Sequence, residues 1–154
     1  MNREHSRRFK FLIYGWLHGE IRNEVLSSEN VIYKGVYNVK NLNSLLKDVH
    51  VGIVPSIWEE CYGFVGIEFL AKGIPVIGNN RGGIPDYVID GQTGWLNQSV
   101  SAQELAKIMI DIIERPGQIT ELNRHLISNR PRYIKTMASH FFEMEKIYQS
   151  LRHG

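Results

Sequence analysis

"VGIVPSIWEECYGFVGIEFLAKGIPVIGNN", Val51 to Asn80, runs from a short apolar segment through a polar loop and a helical pattern into a second apolar segment. "VGIVPS" reads as a strand. "GFVGIEFLAKG" reads as a helix over about Gly63 to Lys72, with Gly73 marking its end and Pro75 beyond it. "PVIGNN", Pro75 to Asn80, reads as a second strand, again apolar on both faces. Strand, helix and strand in that order form a βαβ unit, and a parallel sheet with helices on both faces follows.

The same alternation extends outward. "FKFLIYG" (Phe9 to Gly15), "VIYKG" (Val31 to Gly35) and "GWLN" (Gly94 to Asn97) read as further strands. Glu20 to Leu26 and Leu42 to Val49 read as helices, with a short turn near Pro85 to Ile89. After "GWLN" the pattern becomes helical only. Ser101-Ala-Gln-Glu104 is a capping box that opens a helix to about Glu114, where Arg115, Pro116 and Gly117 break it. A helix over 117–128 follows, Pro131 breaks again, and a long amphipathic helix over 132–151 closes the chain. A single α/β domain over residues 1–154 is expected, with no repeat, linker or low-complexity segment.

Composition narrows the function classes. The 154 residues are 43% hydrophobic and 22% charged, which suits one globular domain and is too polar for a membrane protein. No apolar run approaches the roughly 20 residues of a membrane span, and "MNREHSRRFK" lacks the apolar core of a signal peptide. A cytoplasmic protein is expected. The single cysteine, Cys61, excludes an internal disulfide and a multi-cysteine metal site. Formal net charge is +2 and the basic residues are scattered apart from Arg3, Arg7, Arg8 and Lys10, so nucleic acid is not the expected partner. The basic cluster reads as a solvated face leading into the first strand, with weak contact to anionic lipid heads at the inner membrane face left open.

In an open parallel sheet, ligands bind at the carboxyl ends of the strands, where loops enter helix N-termini. The loop "IWEECY" and the helix after it have that construction. Gly63 and Gly66 carry no side chain to obstruct a ligand near the first helical turn, where unpaired N–H groups and the helix dipole favour phosphate. Glu60 lies in the loop, and Glu68 lies about 9 Å further along if the helix begins near Tyr62. A carboxylate beside a diphosphate repels it unless it accepts hydrogen bonds from hydroxyls, so sugar hydroxyls are the natural partners of both glutamates.

The run from Val54 to Leu96, "VPSIWEECYGFVGIEFLAKGIPVIGNNRGGIPDYVIDGQTGWL", resembles the donor-binding half of glycosyltransferase family 4, retaining enzymes of the two-domain GT-B fold. Glu60 and Glu68, with seven residues between them, match its E-x7-E signature. "NVIYKGVYN", "LLKDVHVGIVPS" and "EMEKIYQSL" resemble flanking family segments, so the similarity spans about Phe9 to Leu151. The resemblance implies a nucleotide-diphosphate sugar as donor and a hexosyl group as cargo, in polysaccharide, glycolipid or glycoconjugate synthesis. Glu68 would bind ribose hydroxyls, and Glu60 would contact the transferred sugar as the catalytic candidate. Backbone amides around Gly63, Phe64 and Val65 would hold the diphosphate, and Gly35, Val36 and Tyr37 would border the base. Arg81 is a candidate phosphate contact. Gly82 and Gly83 either approach the donor or form a tight turn. Two positions depart from the family: Cys61 stands where proline is common, and Asp86 follows "GGIP" where glutamate is usual.

Other residues receive structural readings. Trp58, Tyr62, Trp95 and His50 are expected to pack. The chain has no Asp-x-Asp pair to clamp a metal-bound nucleotide sugar, so no metal and no cofactor are expected, and diphosphate charge would fall to backbone dipoles and cations. The resemblance places a cationic arginine–lysine pair, the first and central strand of the sheet, and an acceptor-binding domain upstream of anything matching Met1. An isolated chain without turnover is therefore expected, with three outcomes for the central gap: the strands close up, another polypeptide fills it, or the exposed edges self-associate. A sugar-nucleotide 2-epimerase and a non-catalytic nucleotide-binding half-domain are the alternative functions. A nicotinamide dehydrogenase is excluded because no G-x-G-x-x-G follows a strand.

Overall fold

The computed structural model describes residues 8–152. Arg3 and Arg7 of the basic cluster lie outside them. The elements in order are β1 (Phe11–Tyr14), α1 (Gly19–Leu26), β2 (Val31–Gly35), a 3₁₀ turn (Val39–Asn41) running into α2 (Leu42–Leu45), β3 (Gly52–Val54), α3 (Phe64–Ala71) and β4 (Val76–Asn79). A second 3₁₀ turn (Ile84–Asp86), β5 (Gly94–Asn97), α4 (Ala102–Glu114), α5 (Gly117–Ser128), α6 (Arg130–Tyr133) and α7 (Met137–Leu151) complete the fold.

All strand pairs are parallel, as the βαβ alternation requires. They form two sheets: β1 pairs with β2, and β3, β4 and β5 pair in that order. β1 and β3 do not pair with each other, so the first of the three expected outcomes for the central gap, closure, is not adopted. Arg8 spans part of the distance between the two halves. Its guanidinium donates to the Ile113 carbonyl at 2.7 Å, a favourable place for a cation at the C-terminus of α4.

The core sits on the three-stranded sheet. Val54, Leu70, Val76, Ile84, Tyr87, Val88 and Leu126 form one buried cluster, with Ile67, Phe69, Leu96, Tyr133 and Ile134 packed against it. Each fully buried aliphatic side chain there contributes about 1.5 to 3 kcal/mol relative to exposure. β4 is buried at all four positions, whereas every residue of β1 is only half-buried.

The termini of α3 follow their local chemistry. Gly73 has φ +74°, Gly73 N–H donates to the Leu70 carbonyl and Ile74 N–H to the Phe69 carbonyl, the two bonds of a Schellman ending. Asn123 of α5 caps this turn by donating to the Gly73 carbonyl at 2.7 Å. The Ser101 hydroxyl accepts from Glu104 N–H at 3.2 Å, as the capping box predicts, but the Glu104 carboxylate reaches the N–H and hydroxyl of Ser99 instead of closing on Ser101.

Three expectations need correction. The last helix begins at Met137 and not at Arg132. Pro131 sits at the start of the short α6, Ile134 is extended, and the Thr136 hydroxyl then caps α7 by accepting from Ser139 N–H. α2 ends at Leu45 and not at Val49. His50 is exposed. α7 is amphipathic, but no residue of it is buried, and Met137, Phe141, Tyr148 and Leu151 face solvent.

Gly94 permits the β4–β5 approach, since a Cβ there would lie 2.7 Å from both N and C of Val76. Backbone cannot rotate away as a side chain can. Gly94→Ala is expected to destabilise the fold by about 3 kcal/mol or more in urea unfolding. Gly117→Ala, which meets nothing within 4 Å, should leave stability unchanged or raise it by up to about 1 kcal/mol. Equal effects from the two substitutions would contradict this packing.

Candidate functional site

The loop from Pro55 to Tyr62 leaves the carboxyl end of β3 and enters α3 through Gly63. That glycine has φ +59°, a left-handed conformation that side-chain-bearing residues rarely adopt, and no side chain caps the helix end. Phe64 and Val65, the first two helical residues, are exposed. The first-turn N–H end of α3 is thus open to solvent, where it can receive an anion.

Two further segments build around this end. From the other sheet, the loop after β2 brings Tyr37 to α3, and its hydroxyl donates to Glu68 Oε2 at 3.4 Å, a long bond. Tyr37 also meets Tyr14 edge to face at 6.1 Å. Its phenol lies above the ordinary tyrosine value, through burial first and then the Glu68 charge. Glu68 itself is half-buried. Of the three loop residues expected to border a base, Tyr37 stands beside Glu68, while Val36 is exposed.

The second segment is the turn after β4. Gly83 N–H donates to the Glu60 carbonyl at 2.7 Å. A Cβ on Gly82 would lie 2.5 Å from Glu60 O and 2.6 Å from Glu60 N, and one on Gly83 would collide with the Cys61 carbonyl. The glycine pair packs backbone to backbone under the Glu60 loop. Arg81 adds an ion pair to Glu59 at 3.0 Å, with both side chains exposed, so its guanidinium is already engaged. Exposed ion pairs of this kind contribute little stability.

Beneath both segments lies a chain of buried amides that the sequence reading gave no role. Asn97 Nδ2 donates to Asn79 Oδ1 at 2.7 Å and to the Ser101 carbonyl at 3.0 Å, and Asn79 Nδ2 donates to the Ser56 carbonyl at 3.2 Å. This chain links the carboxyl ends of β3, β4 and β5 and fixes where the Glu60 loop departs. Asparagines closing two apolar strands, "VIGN" and "GWLN", were the available signal.

Gly66 has a different job from the one expected. It is buried, and a Cβ there would run into the Tyr87 ring, 2.5 Å from its hydroxyl. Its bare face accommodates Tyr87 and not a ligand. Tyr87 is 4% exposed and its hydroxyl has no hydrogen-bond partner among the described residues. The phenol is pushed up to about 12 by burial first, then by the charge of Glu60 and by Tyr62. One aromatic expectation also changes: Trp58, 76% exposed, is a surface residue, whereas Tyr62, though 45% exposed, packs edge to face against Tyr87 with ring centroids 6.3 Å apart. Trp95 does pack, half-buried, with its indole N–H donating to Gln118 at 3.2 Å.

The candidate site is an open surface. Hollows of about 300 and 340 Å³ lie elsewhere, one lined by Leu70 to Gly73 and Leu126, the other by Gly91, Trp95 and His125. Among the described residues, no group of three or more His, Cys, Asp or Glu side chains is arranged to hold a metal ion. No helix there is long and apolar enough to cross a membrane.

Tyr87 makes a pH prediction. A phenol held at about 12 in the folded state binds its proton more tightly than in the unfolded chain, where tyrosine titrates near 10. Its protonation leaves stability independent of pH below about 10 and makes folding progressively weaker as pH rises from there toward 12, where the unfolded chain loses the proton first. Urea unfolding of wild type and Tyr87→Phe should therefore diverge over that window, wild type losing about 2 to 3 kcal/mol more. Parallel curves would mean that Tyr87 is not buried as described.

Known proteins share this architecture. Anabaena HepE, solved in complex with UDP-glucose, superposes with a TM-score of 0.75 at 19% identity, over 91% of this chain and 41% of that one. The α/β arrangement is thus part of a GT-B fold. In sequence, the chain is 36% identical over 86 residues to an uncharacterised 41.2 kDa protein in the cps region of Klebsiella pneumoniae, covering 56% of this chain and 24% of that protein. It is 25% identical over 157 residues to a D-inositol 3-phosphate glycosyltransferase of Corynebacterium aurimucosum, covering 96% of this chain and 37% of that protein. The chain therefore spans less than half the length of these relatives. Residues 3–132, which include the Glu60 loop, α3 and the Gly82–Gly83 turn, match the family described as glycosyl transferases group 1, and the chain belongs to that family.

Proposed function

We propose that this chain is the donor-binding part of a retaining glycosyltransferase of family 4 that takes a hexosyl group from a nucleotide-diphosphate sugar. One arrangement carries the reading: an uncapped, glycine-entered helix end with Glu60 before it and Glu68 on the helix beyond it. An anion suits the first-turn N–H groups of α3, and hydroxyls suit the two carboxylates on either side.

The roles follow from position. Backbone amides at Gly63, Phe64 and Val65 hold the diphosphate. Glu68 accepts ribose hydroxyls, for which its long bond from Tyr37 leaves acceptor capacity, and Gly35, Val36 and Tyr37 border the base. Glu60 faces the sugar. Gly82 and Gly83 serve by holding the Glu60 loop, and Arg81 reaches phosphate only by leaving Glu59. In the complete enzyme the bond from the anomeric carbon to the phosphate oxygen breaks, and one to the acceptor hydroxyl oxygen forms on the same face. The acceptor's proton leaves with the diphosphate. Catalysis rests on positioning and on dipoles aimed at the departing charge, with no metal required. The acceptor is bound outside this chain, in cytoplasmic synthesis of a polysaccharide or glycoconjugate, and the isolated chain binds donor without turnover.

The two glutamates separate by ligand. Glu68→Gln is expected to weaken a nucleoside diphosphate by about 1 to 3 kcal/mol, because a charged acceptor becomes a neutral amide. The loss should be the same whether or not the sugar is attached. Glu60→Gln should leave nucleoside diphosphate affinity unchanged and weaken the nucleotide sugar. Calorimetry of both variants with both ligands makes the test, and equal losses throughout would reduce the pair to structural residues.

A further inference from the structure

Tyr87 poses a problem that the donor site solves. Buried hydroxyls nearly always find a partner, and phenylalanine would fill the same space without burying an oxygen. Here the Tyr87 hydroxyl has none among the described residues. Its surroundings leave it little freedom. The ring lies against the bare faces of Gly63 and Gly66. The Tyr87 backbone is pinned by Thr93, whose hydroxyl donates to the Tyr87 carbonyl and accepts from Ile89 N–H, both at 2.7 Å.

A charged group close to it is Glu60. A Cβ placed on Gly63 would lie 2.8 Å from the Tyr87 hydroxyl and 2.9 Å from Glu60 Oε2, so the two oxygens are within two contact distances of each other. The Glu60 backbone is clamped by Gly82 and Gly83, but its side chain is only half-buried and can turn. The charge of Glu60 already acts on the phenol.

We propose that Tyr87 is a positioning residue for Glu60: when a sugar engages one oxygen of the Glu60 carboxylate, the other turns to accept a hydrogen bond from the Tyr87 hydroxyl. The inference rests on the donor-site reading above and deepens it. The bond forms only with the sugar in place, so it favours the nucleotide sugar over the spent nucleoside diphosphate. In the absence of sugar the hydroxyl stays unsatisfied, which sets opposite signs for stability and binding.

The test is Tyr87→Phe, which keeps the ring and removes the oxygen, in the full chain. Calorimetry uses three probe pairs: UDP and UDP-glucose, GDP and GDP-mannose, ADP and ADP-glucose. With the pair that wild type binds, the variant should bind the nucleoside diphosphate unchanged and the nucleotide sugar about 5- to 10-fold more weakly. Its melting temperature near neutral pH should be unchanged or higher. In a Glu60→Gln background the same substitution should cost less than half as much on the logarithmic scale, because the charged acceptor is gone. Equal weakening of both probes, no weakening of either, or full additivity with Glu60→Gln would overturn the proposal while leaving the donor site standing. Failure of wild type to bind any of the six probes would overturn both.

Discussion

Val76 to Asn79 are buried along their whole length, and β4 pairs on both edges, with β3 and with β5. That double pairing is the constraint from which the site descends. It sets the carboxyl ends of three strands side by side, where Ser56, Asn79 and Asn97 join through buried amide hydrogen bonds. The loop carrying Glu60 leaves from one end of this chain. The Gly82–Gly83 turn that clamps the loop leaves from the next strand. A carboxylate on a nine-residue loop would otherwise sample many positions, and conformational entropy would oppose any single one. Backbone contact at two successive residues removes most of that freedom without spending a side chain.

A second exchange of volume operates inside α3. Glycine within a helix costs up to about 1 kcal/mol relative to alanine, yet Gly66 is buried in the first turn of the element. The space it leaves is filled by Tyr87, which belongs to the core cluster. The same ring lies against Gly63 at the open end of that helix and brings a hydroxyl near Glu60. Packing and chemistry are therefore coupled at one residue, and substitution there reads both.

Much of this was legible in the sequence. "VIYKG" and "GWLN" became strands with the boundaries expected, and the Gly73 ending of α3 took the Schellman geometry that Gly–Ile–Pro suggests. Strong periodicity and glycine punctuation act locally, so they can be read locally. What was not legible depends on tertiary partners. Gly66 looked like clearance for a ligand because sequence spacing does not reveal that Tyr87, twenty-one positions later, returns to it. Trp58 reads as a packing residue because aromatic residues usually pack, but it is exposed on a loop whose Glu60 and Cys61 backbone is held by Gly82 and Gly83. The start of the last helix is not legible because Pro131 reads as a single break, whereas α6 and an extended Ile134 intervene before the Thr136 cap.

The central claim is that the open N-terminus of α3 is the diphosphate site. It is tested most directly by following backbone amide resonances of the chain during titration with UDP, GDP and ADP, a measurement suited to weak binding. The amides of Gly63, Phe64 and Val65 are predicted to show the largest saturable shifts for at least one of the three, with smaller shifts at Tyr37 and Glu68. Saturable shifts largest around Gly91, Trp95 and His125, or anywhere else away from α3, would contradict the account.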